Sequence, residues 1–343
     1  MKNQKTYRFY FLVLILILII TFIISISLGT VPIPLREVII SLFGGEPLKS
    51  SWKFIIMDYR LPKAITAILA GGGLAVSGLL MQTLFRNPLA GPFVLGLSSG
   101  ASLGVAMLIL GAGLFGASFG GLLMGSWSLV IASAFGSFLV LLAVLSVSFK
   151  LKDTMTILII GLMFGSVTAA VVSVLSYFSN AEQLQQFVFW SFGTLGNVSW
   201  DGILILFSCI TIGLWISILA IKPLNALLLG ENYAKSMGIN LKLATFWIIV
   251  ATSLLAGSIT AFAGPIAFVG LAVPHLTRQF FNSSNHMVLL PAVFLSGAVL
   301  MLICDTVAQL PFIELTLPIN AITSLLGAPV VIWLLVRKRK LFF

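Results

Sequence analysis

RLPKAITAILAGGGLAVSGLLMQTLFRNPLAGPFVLGLSSGA, residues 60–101, is two apolar runs separated by a polar knot of Gln82, Arg86, Asn87, Pro88, Gly91 and Pro92. In the first run Gly71, Ala75 and Gly78 follow one another at offsets of four and three, which puts small residues on one helical face. In the second, Gly96, Gly100 and Gly104 recur at strict four-residue spacing, the pattern that lets helix backbones approach closely in lipid. Pro88 and Pro92 lack an N–H, so the backbone turns between the runs instead of continuing as helix. The stretch reads as a membrane hairpin with unusually close helix packing.

The rest of the chain agrees. Its 343 residues are 59% hydrophobic and 8% charged, with a mean hydropathy of +1.16, which excludes an ordinary soluble domain. The N-terminus, MKNQKTYRFYFLVLILILIITFIISISL, starts basic like a signal peptide. Its apolar run is too long for one and no small-residue cleavage site ends it, so it reads as a retained first span. At ~20 residues per crossing the spans fall at about 7–29, 61–83, 93–112, 121–149, 154–179, 201–221, 242–262, 265–281, 288–310 and 318–336. The expected fold is therefore an all-α polytopic membrane protein of about ten transmembrane helices. The net charge of +10 forms no nucleic-acid-binding face, because the basic residues sit at the ends of apolar runs. With both termini inside, fourteen of the nineteen lysines and arginines lie on the inner side, which places both termini in the cytoplasm. The outer five are Arg36, Lys49, Lys53, Arg60 and Lys63.

Between the spans, VPIPLREVIISLFGG (31–45) reads as a short amphipathic helix on the outer surface, opened by Pro34 and closed by Gly44 and Gly45. The segment 181–201 reads as an outer loop whose Trp190 and Trp200 suit an interfacial belt. On the inner side, 222–242 has Leu224, Leu227 and Leu228 at helical spacing, a stripe with something to bury against. AGPFVLGL at 90–97 is echoed by AGPIAFVGL at 263–271, a weak internal repeat. The helices that precede the two copies run in opposite directions, so residues 61–179 and 242–336 form inverted halves of a single transmembrane domain, a build common in transporters.

Catalytic chemistry is missing. The two histidines, His275 and His286, form no close-ligand pattern, and no carboxylates pair at helical spacing within a span. No GxxxxGK[ST] phosphate loop is present, so the chain is not expected to hydrolyse ATP, and no cofactor or metal site is expected in it. Cys209 and Cys304 sit in apolar runs as packing residues. Asp305, within a span, is expected near the outer end, hydrogen-bonded to a neighbouring helix.

The ordered residues Arg60, Leu61, Pro62, Lys63, Ser77, Gly78, Gln82, Asn87, Pro88, Leu89, Ala90, Pro92, Leu95, Gly96, Ser98, Gly100 and Ala101 resemble the motif of a known family. It is the FecCD-type permease family of bacterial ABC importers for iron–siderophore, haem and cobalamin. Gly264, Pro265, Phe268, Gly270, Leu271, Pro274, His275 and Arg278 continue the resemblance. So do Leu317, Pro318, Thr323, Gly327, Ala328, Pro329 and Leu334, and it runs from about residue 55 to the end. The resemblance implies an inner-membrane permease that pairs with a second permease copy. It also implies two cytoplasmic ATPase subunits carrying ATP and Mg, and one extracytoplasmic binding protein. By the same resemblance Leu227, Leu228, Gly230, Glu231, Ala234, Gly238 and Ile239 couple to the ATPase. Arg60 and Lys63 dock the binding protein, although Gln309 stands where a third docking arginine is often found. Gln82, Asn87, Pro88, Pro92, Gly96, Gly100, Gly264, Pro265, Gly270, Pro274, Gly327 and Pro329 are the expected packing and pathway residues. The implied cargo is a chelated iron compound, iron–siderophore first, with haem and cobalamin as the others. An ion-coupled carrier acting without an ATPase is the competing reading, since the inverted repeat would suit it equally.

Overall fold

The computed structural model describes residues 4–111, 126–148, 154–309 and 315–337. Among these residues every regular element is helical. Lys2, Lys150, Lys152 and the basic residues after Arg337, which weighed in the topology expectation, lie outside the described residues.

Among the described residues, seven helices are long and apolar enough to cross a membrane. They are α1 (Gln4–Ser27), α3 (Ser50–Leu84), α5 (Ser126–Ser148), α6 (Thr154–Phe178), α8 (Trp200–Leu219), α11 (Leu241–Ala263) and α13 (His286–Ala308). The other three expected spans are shorter. α4 (Leu97–Ile109) and α12 (Val269–Phe281) have 13 residues each, and the apolar part of α14 (Ile319–Arg337) is Ile319–Trp333. At 1.5 Å per residue, 13 residues reach only about 20 Å, short of a ~30 Å hydrocarbon core. Of the about ten crossings expected, seven are full-length helices among the described residues and three are shorter ones. The remaining elements are α2 (Leu35–Leu42), α7 (Ala181–Ser191), α9 (Ile221–Leu227) and α10 (Glu231–Ser236).

α7 corrects the reading of 181–201 as a loop. Asn180 caps it, accepting from Gln183 N–H at 2.9 Å while the Gln183 side chain accepts from Asn180 N–H at 3.3 Å. This reciprocal pair is a capping box, and the Asn-x-x-Gln spacing that forms it was readable in the sequence. Trp190, expected in an interfacial belt, instead packs with Phe187 against the buried Val105, Ala106, Ile109 and Leu110 of α4 and its end.

The chain divides into two compact units. The first holds Met1–Leu79, Thr194–Ser208 and Ile266–Phe343. Within it α1 lies on α13, and α12, α13 and α14 pack against one another. Phe281 at the end of α12 meets the rings of Tyr7, Tyr10 and Phe11 on α1, with centroids 5.1 to 6.4 Å away. The small-residue face of α3 is used here. A methyl group on Gly71 would collide with the Gly297 carbonyl of α13, and one on Gly78 with the Gly270 carbonyl of α12. The second unit holds Leu80–Gly193 and Cys209–Pro265. In it α4 packs against α5, with Gly100, Gly104 and Gly136 interleaved so that a Cβ on Gly100 would stand 2.6 Å from the Gly136 oxygen. Only glycine permits backbones this close.

Candidate functional site

Two clusters collect the residues singled out from the sequence. The first, in the first unit, forms where α1 ends and the spanning part of α3 begins. Arg60 is turned inward. Its Nη1 donates to the carbonyl oxygens of Ile26 (2.8 Å) and Ser27 (2.9 Å), and its Nη2 donates to that of Val31. Ile26 and Ser27 are among the last residues of α1, whose final carbonyls have no partner inside the helix, so the guanidinium acts as a cap supplied by another helix. Gly29 makes the approach possible, because a Cβ there would stand 2.7 Å from Arg60 Nη2 and 3.2 Å from Gln309 Oε1.

One turn along, Lys63 Nζ pairs with Asp305 Oδ1 of α13 at 3.0 Å. The Lys63 side chain keeps 22% of its surface, and that of Asp305 only 3%. Gln309 Nε2 donates to the other carboxylate oxygen at 2.8 Å, so the buried acid is held on both sides. Asp305 therefore sits near the end of α13 with a partner on another helix. The sequence singled out Lys63 and Asp305 separately and had no means to join them, since nothing local links the two helices.

The second cluster, in the second unit, is the segment 222–242. It folds as the pair α9 and α10, broken at Gly230, whose φ of +110° suits glycine alone. Gly238 (φ +79°) ends α10 with Gly238 N–H on Lys235 O and Ile239 N–H on Ala234 O, and Asn240 then caps α11 through Leu243 N–H at 3.2 Å. The leucine stripe points the opposite way from what a partner-facing stripe requires. Leu224, Leu227 and Ala234 are buried within the chain and Leu228 is half-buried. The outward apolar residues are Leu229, Tyr233 and Met237, which keep 64%, 50% and 59% of their surface. None of these three was picked out by spacing. The signal was present as the i, i+4, i+8 series they form across the Gly230 break. Arg86, which ends α3 in a left-handed turn (φ +47°), reaches to within 4.0 Å of where a Cβ on Gly230 would stand. Glu231 and Ile239 are half-buried.

The polar knot after α3 is a tight turn. Asn87 N–H donates to Gln82 O (3.1 Å), and Asn87 Oδ1 accepts from Leu89 N–H (2.9 Å), which brackets Pro88. The two copies of the AGP repeat both become breaks that open a short helix. Pro92–Leu95 is a 3₁₀ turn ending in Gly96 (φ +73°), after which α4 starts. Gly264 (φ +75°) and Pro265 lead to Phe268 (φ +65°), after which α12 starts. A Cβ on Gly264 would stand 2.8 Å from the Trp190 oxygen. Asn320 Oδ1 accepts from Ala267 N–H at 3.1 Å, and Gly327 leaves room for Phe268. Pro274 and Pro329 lie inside α12 and α14. Asn320 was not anticipated.

The model of the FecCD transport family matches residues 17–337. The vitamin B12 import system permease protein BtuC of Klebsiella pneumoniae subsp. pneumoniae is 35% identical over 319 residues, covering 91% of this chain and 93% of that one. The protein of the same description from Salmonella typhi is 34% identical over 314 residues, covering 89% and 93%. A solved structure presented as an inward-facing conformation of a metal-chelate type ABC transporter superposes with a TM-score of 0.81 at 31% identity, over 94% of this chain and 97% of that one. PsaBC from Streptococcus pneumoniae, solved in complex with Fab, shares the fold at a TM-score of 0.55 and 16% identity, over 88% of this chain and 95% of that one.

Proposed function

The chain belongs to the FecCD transport family, and from that premise we propose that it carries a metal chelate across the inner membrane as the permease of an ATP-binding cassette importer. Cobalamin and iron–siderophore are the two cargo classes to separate. The relatives' description favours the first, and no residue of the chain favours either. ATP and Mg belong to two partner ATPase subunits, and both termini lie on their side of the membrane.

The observation that carries the coupling role is the exposed trio Leu229, Tyr233 and Met237 on a short helix pair whose own leucines are already buried. A connecting loop has no need to hold three large apolar side chains outward on a rigid, glycine-terminated turn. We assign the ATPase contact to this trio, with Gly230, Glu231, Gly238 and Ile239 shaping it. ATP-driven closure of the ATPase pair then moves α9 and α10 and, through them, α11, a rearrangement of the alternating-access kind. A second copy of the chain completes the pathway. α6, exposed along most of its length, offers a face for that second copy. Docking of an extracytoplasmic binding protein falls to Lys63, whose charge Asp305 shares, because Arg60 is committed to the end of α1.

The test is co-purification with, and stimulation of, a partner ATPase of the ATP-binding cassette type. Leu229→Asp plus Met237→Asp changes exposed positions only. The double variant is expected to keep its melting temperature and to lose at least about tenfold in ATPase affinity, as hot-spot truncation does. A double variant that binds like the parent overturns the trio. A parent that neither binds nor stimulates any ATPase overturns the importer reading and favours the ion-coupled carrier. Uptake of labelled cobalamin against a labelled ferric siderophore then separates the cargo classes.

A further inference from the structure

Residues 28–60 form an elbow between two spanning helices, and one face of it has no partner among the described residues. α2 buries Glu37, Val38 and Ser41 towards α1 and the first turns of α3. Its other face displays Leu35, Ile39 and Phe43, an i, i+4, i+8 series within about 80° of arc, with Arg36 at the edge. The loop after α2 continues this surface with Leu48. Phe43 and Leu48 keep 88% and 82% of their surface, yet both are firmly held. Gly45 N–H donates to Ile40 O at 2.8 Å, and the buried Glu37 carboxylate accepts from Leu48 N–H at 2.8 Å. The carboxylate thus pulls the loop tip back onto α2 and fixes Phe43 and Leu48 outward.

The depth of this surface is set by its tethers. Ile33 N–H donates to Ser27 O at 3.2 Å, so α2 begins two residues after a bond to the very end of spanning helix α1. Arg60 ties the same end of α1 to α3. α3 is 35 residues long, about 52 Å at 1.5 Å per residue, so its first turns overshoot the hydrocarbon core. Those turns carry half-buried Trp52, with Lys49 Nζ 5.2 Å over its ring, and exposed Phe54 and Tyr59. Aromatic rings of this kind at the end of a span mark the headgroup layer. Of the five basic residues that the charge tally places on the lysine-poor side, four fall in this elbow: Arg60 is buried, while Arg36, Lys49 and Lys53, all between 31 and 54, are exposed. Apolar face, aromatic ring and basic rim together describe an interfacial helix that meets acidic lipid.

We propose that the elbow 31–54 is a lipid-docking surface: Leu35, Ile39, Phe43 and Leu48 enter the acyl boundary, and Arg36, Lys49 and Lys53 contact acidic phospholipid headgroups. It anchors the joint between α1 and α3, and it needs only that the chain be embedded in a membrane. It therefore stands or falls separately from the importer reading.

The experiment places an environment-sensitive nitrobenzoxadiazole label at Phe43→Cys or, as control, Glu46→Cys. Each is made in the full chain with Cys209→Ala and buried Cys304 left in place, and reconstituted in nanodiscs of phosphatidylcholine with or without phosphatidylglycerol. The label at 43 is expected to emit blue-shifted light and to be quenched by lipids spin-labelled near the headgroup, while the label at 46 behaves as in water. With each basic side chain near an acidic surface worth about fivefold in partition, spin-labelled phosphatidylglycerol should quench at 43 roughly twofold more than spin-labelled phosphatidylcholine. Arg36→Gln, Lys49→Gln and Lys53→Gln together should bring the two to parity. Water-like emission at both sites overturns the proposal, as does a shift at 43 that appears only when a partner protein is added. Equal quenching by the two lipids in the parent overturns the headgroup assignment.

Discussion

The two breaks that begin with Ala-Gly-Pro share a motif and a backbone shape but hold that shape by different means. In the first, Gly96 takes the left-handed conformation that opens α4, and glycine does so without strain. In the second, the left-handed residue is Phe268, for which such a φ costs about 1–2 kcal/mol. The motif glycine, Gly270, has moved into the first turn of α12, where its carbonyl faces Gly78 across a gap that admits no side chain. Phe268 stays in place because other elements hold it: Asn320 takes the Ala267 N–H, and Gly327 leaves space for the ring. One break is a property of its own residue and the other of its neighbours. Strain held in place by the surrounding structure is common at sites that move or bind, which marks the 264–270 break as the more interesting of the two for transport.

The largest expected effect comes from closing the gap that the second break has opened. Gly78→Ala should cost about 3 kcal/mol or more, since two backbones would have to separate. Gly100→Ala, whose Cβ would meet the Gly136 oxygen at 2.6 Å, should cost about 2 kcal/mol by the same route. Thermal unfolding in detergent, followed by the loss of the monodisperse elution peak, checks both. Equal melting temperatures for the two variants would mean that the second break is packed no more tightly than the first.

Next comes the clamp. Asn320→Ala leaves the Ala267 N–H without its acceptor and frees the turn that holds Phe268, an expected loss of about 1–3 kcal/mol. Asn320→Asp keeps an acceptor in place and should recover most of it. The side-chain bond at the first break, Ser137 Oγ donating to Leu97 O at 3.0 Å, falls after Gly96 and not on the turn before it. If Asn320→Ala melts with the parent, Phe268 holds its conformation unaided and the contrast between the breaks fails.

The membrane class, the close-packed glycine faces and the existence of both breaks could be read from residues 60–101 and the AGP echo, because all three depend on local pattern. What could not be read depends on contacts between distant segments. Lys63 and Asp305 are two ordinary charges until α3 and α13 lie side by side. Arg60 looked like a free outer charge, and only the position of the α1 terminus turns it into a cap. The stripe Leu224, Leu227 and Leu228 was correctly amphipathic, but periodicity gives a face and not the direction it points. That is why the sequence led to these leucines and the structure to Leu229, Tyr233 and Met237.

The smallest effect separates conformation from crowding at the first break. Gly96→Ala should cost about 1–2 kcal/mol from the left-handed φ alone. The new Cβ would also stand 3.0 Å from Val140 Cγ1 and 3.1 Å from the Gly161 oxygen, so part of any loss is steric. Val140→Ala removes the first of these contacts, and comparing the two single variants with the double isolates their coupling. If the first break is set by its own residue, the double variant keeps about 1 kcal/mol of the Gly96→Ala loss after the Val140→Ala loss is subtracted. If that residue of loss vanishes, alanine is tolerated at φ +73° once space is made. Gly96 would then be a packing glycine like Gly100, and both breaks would be held by their neighbours.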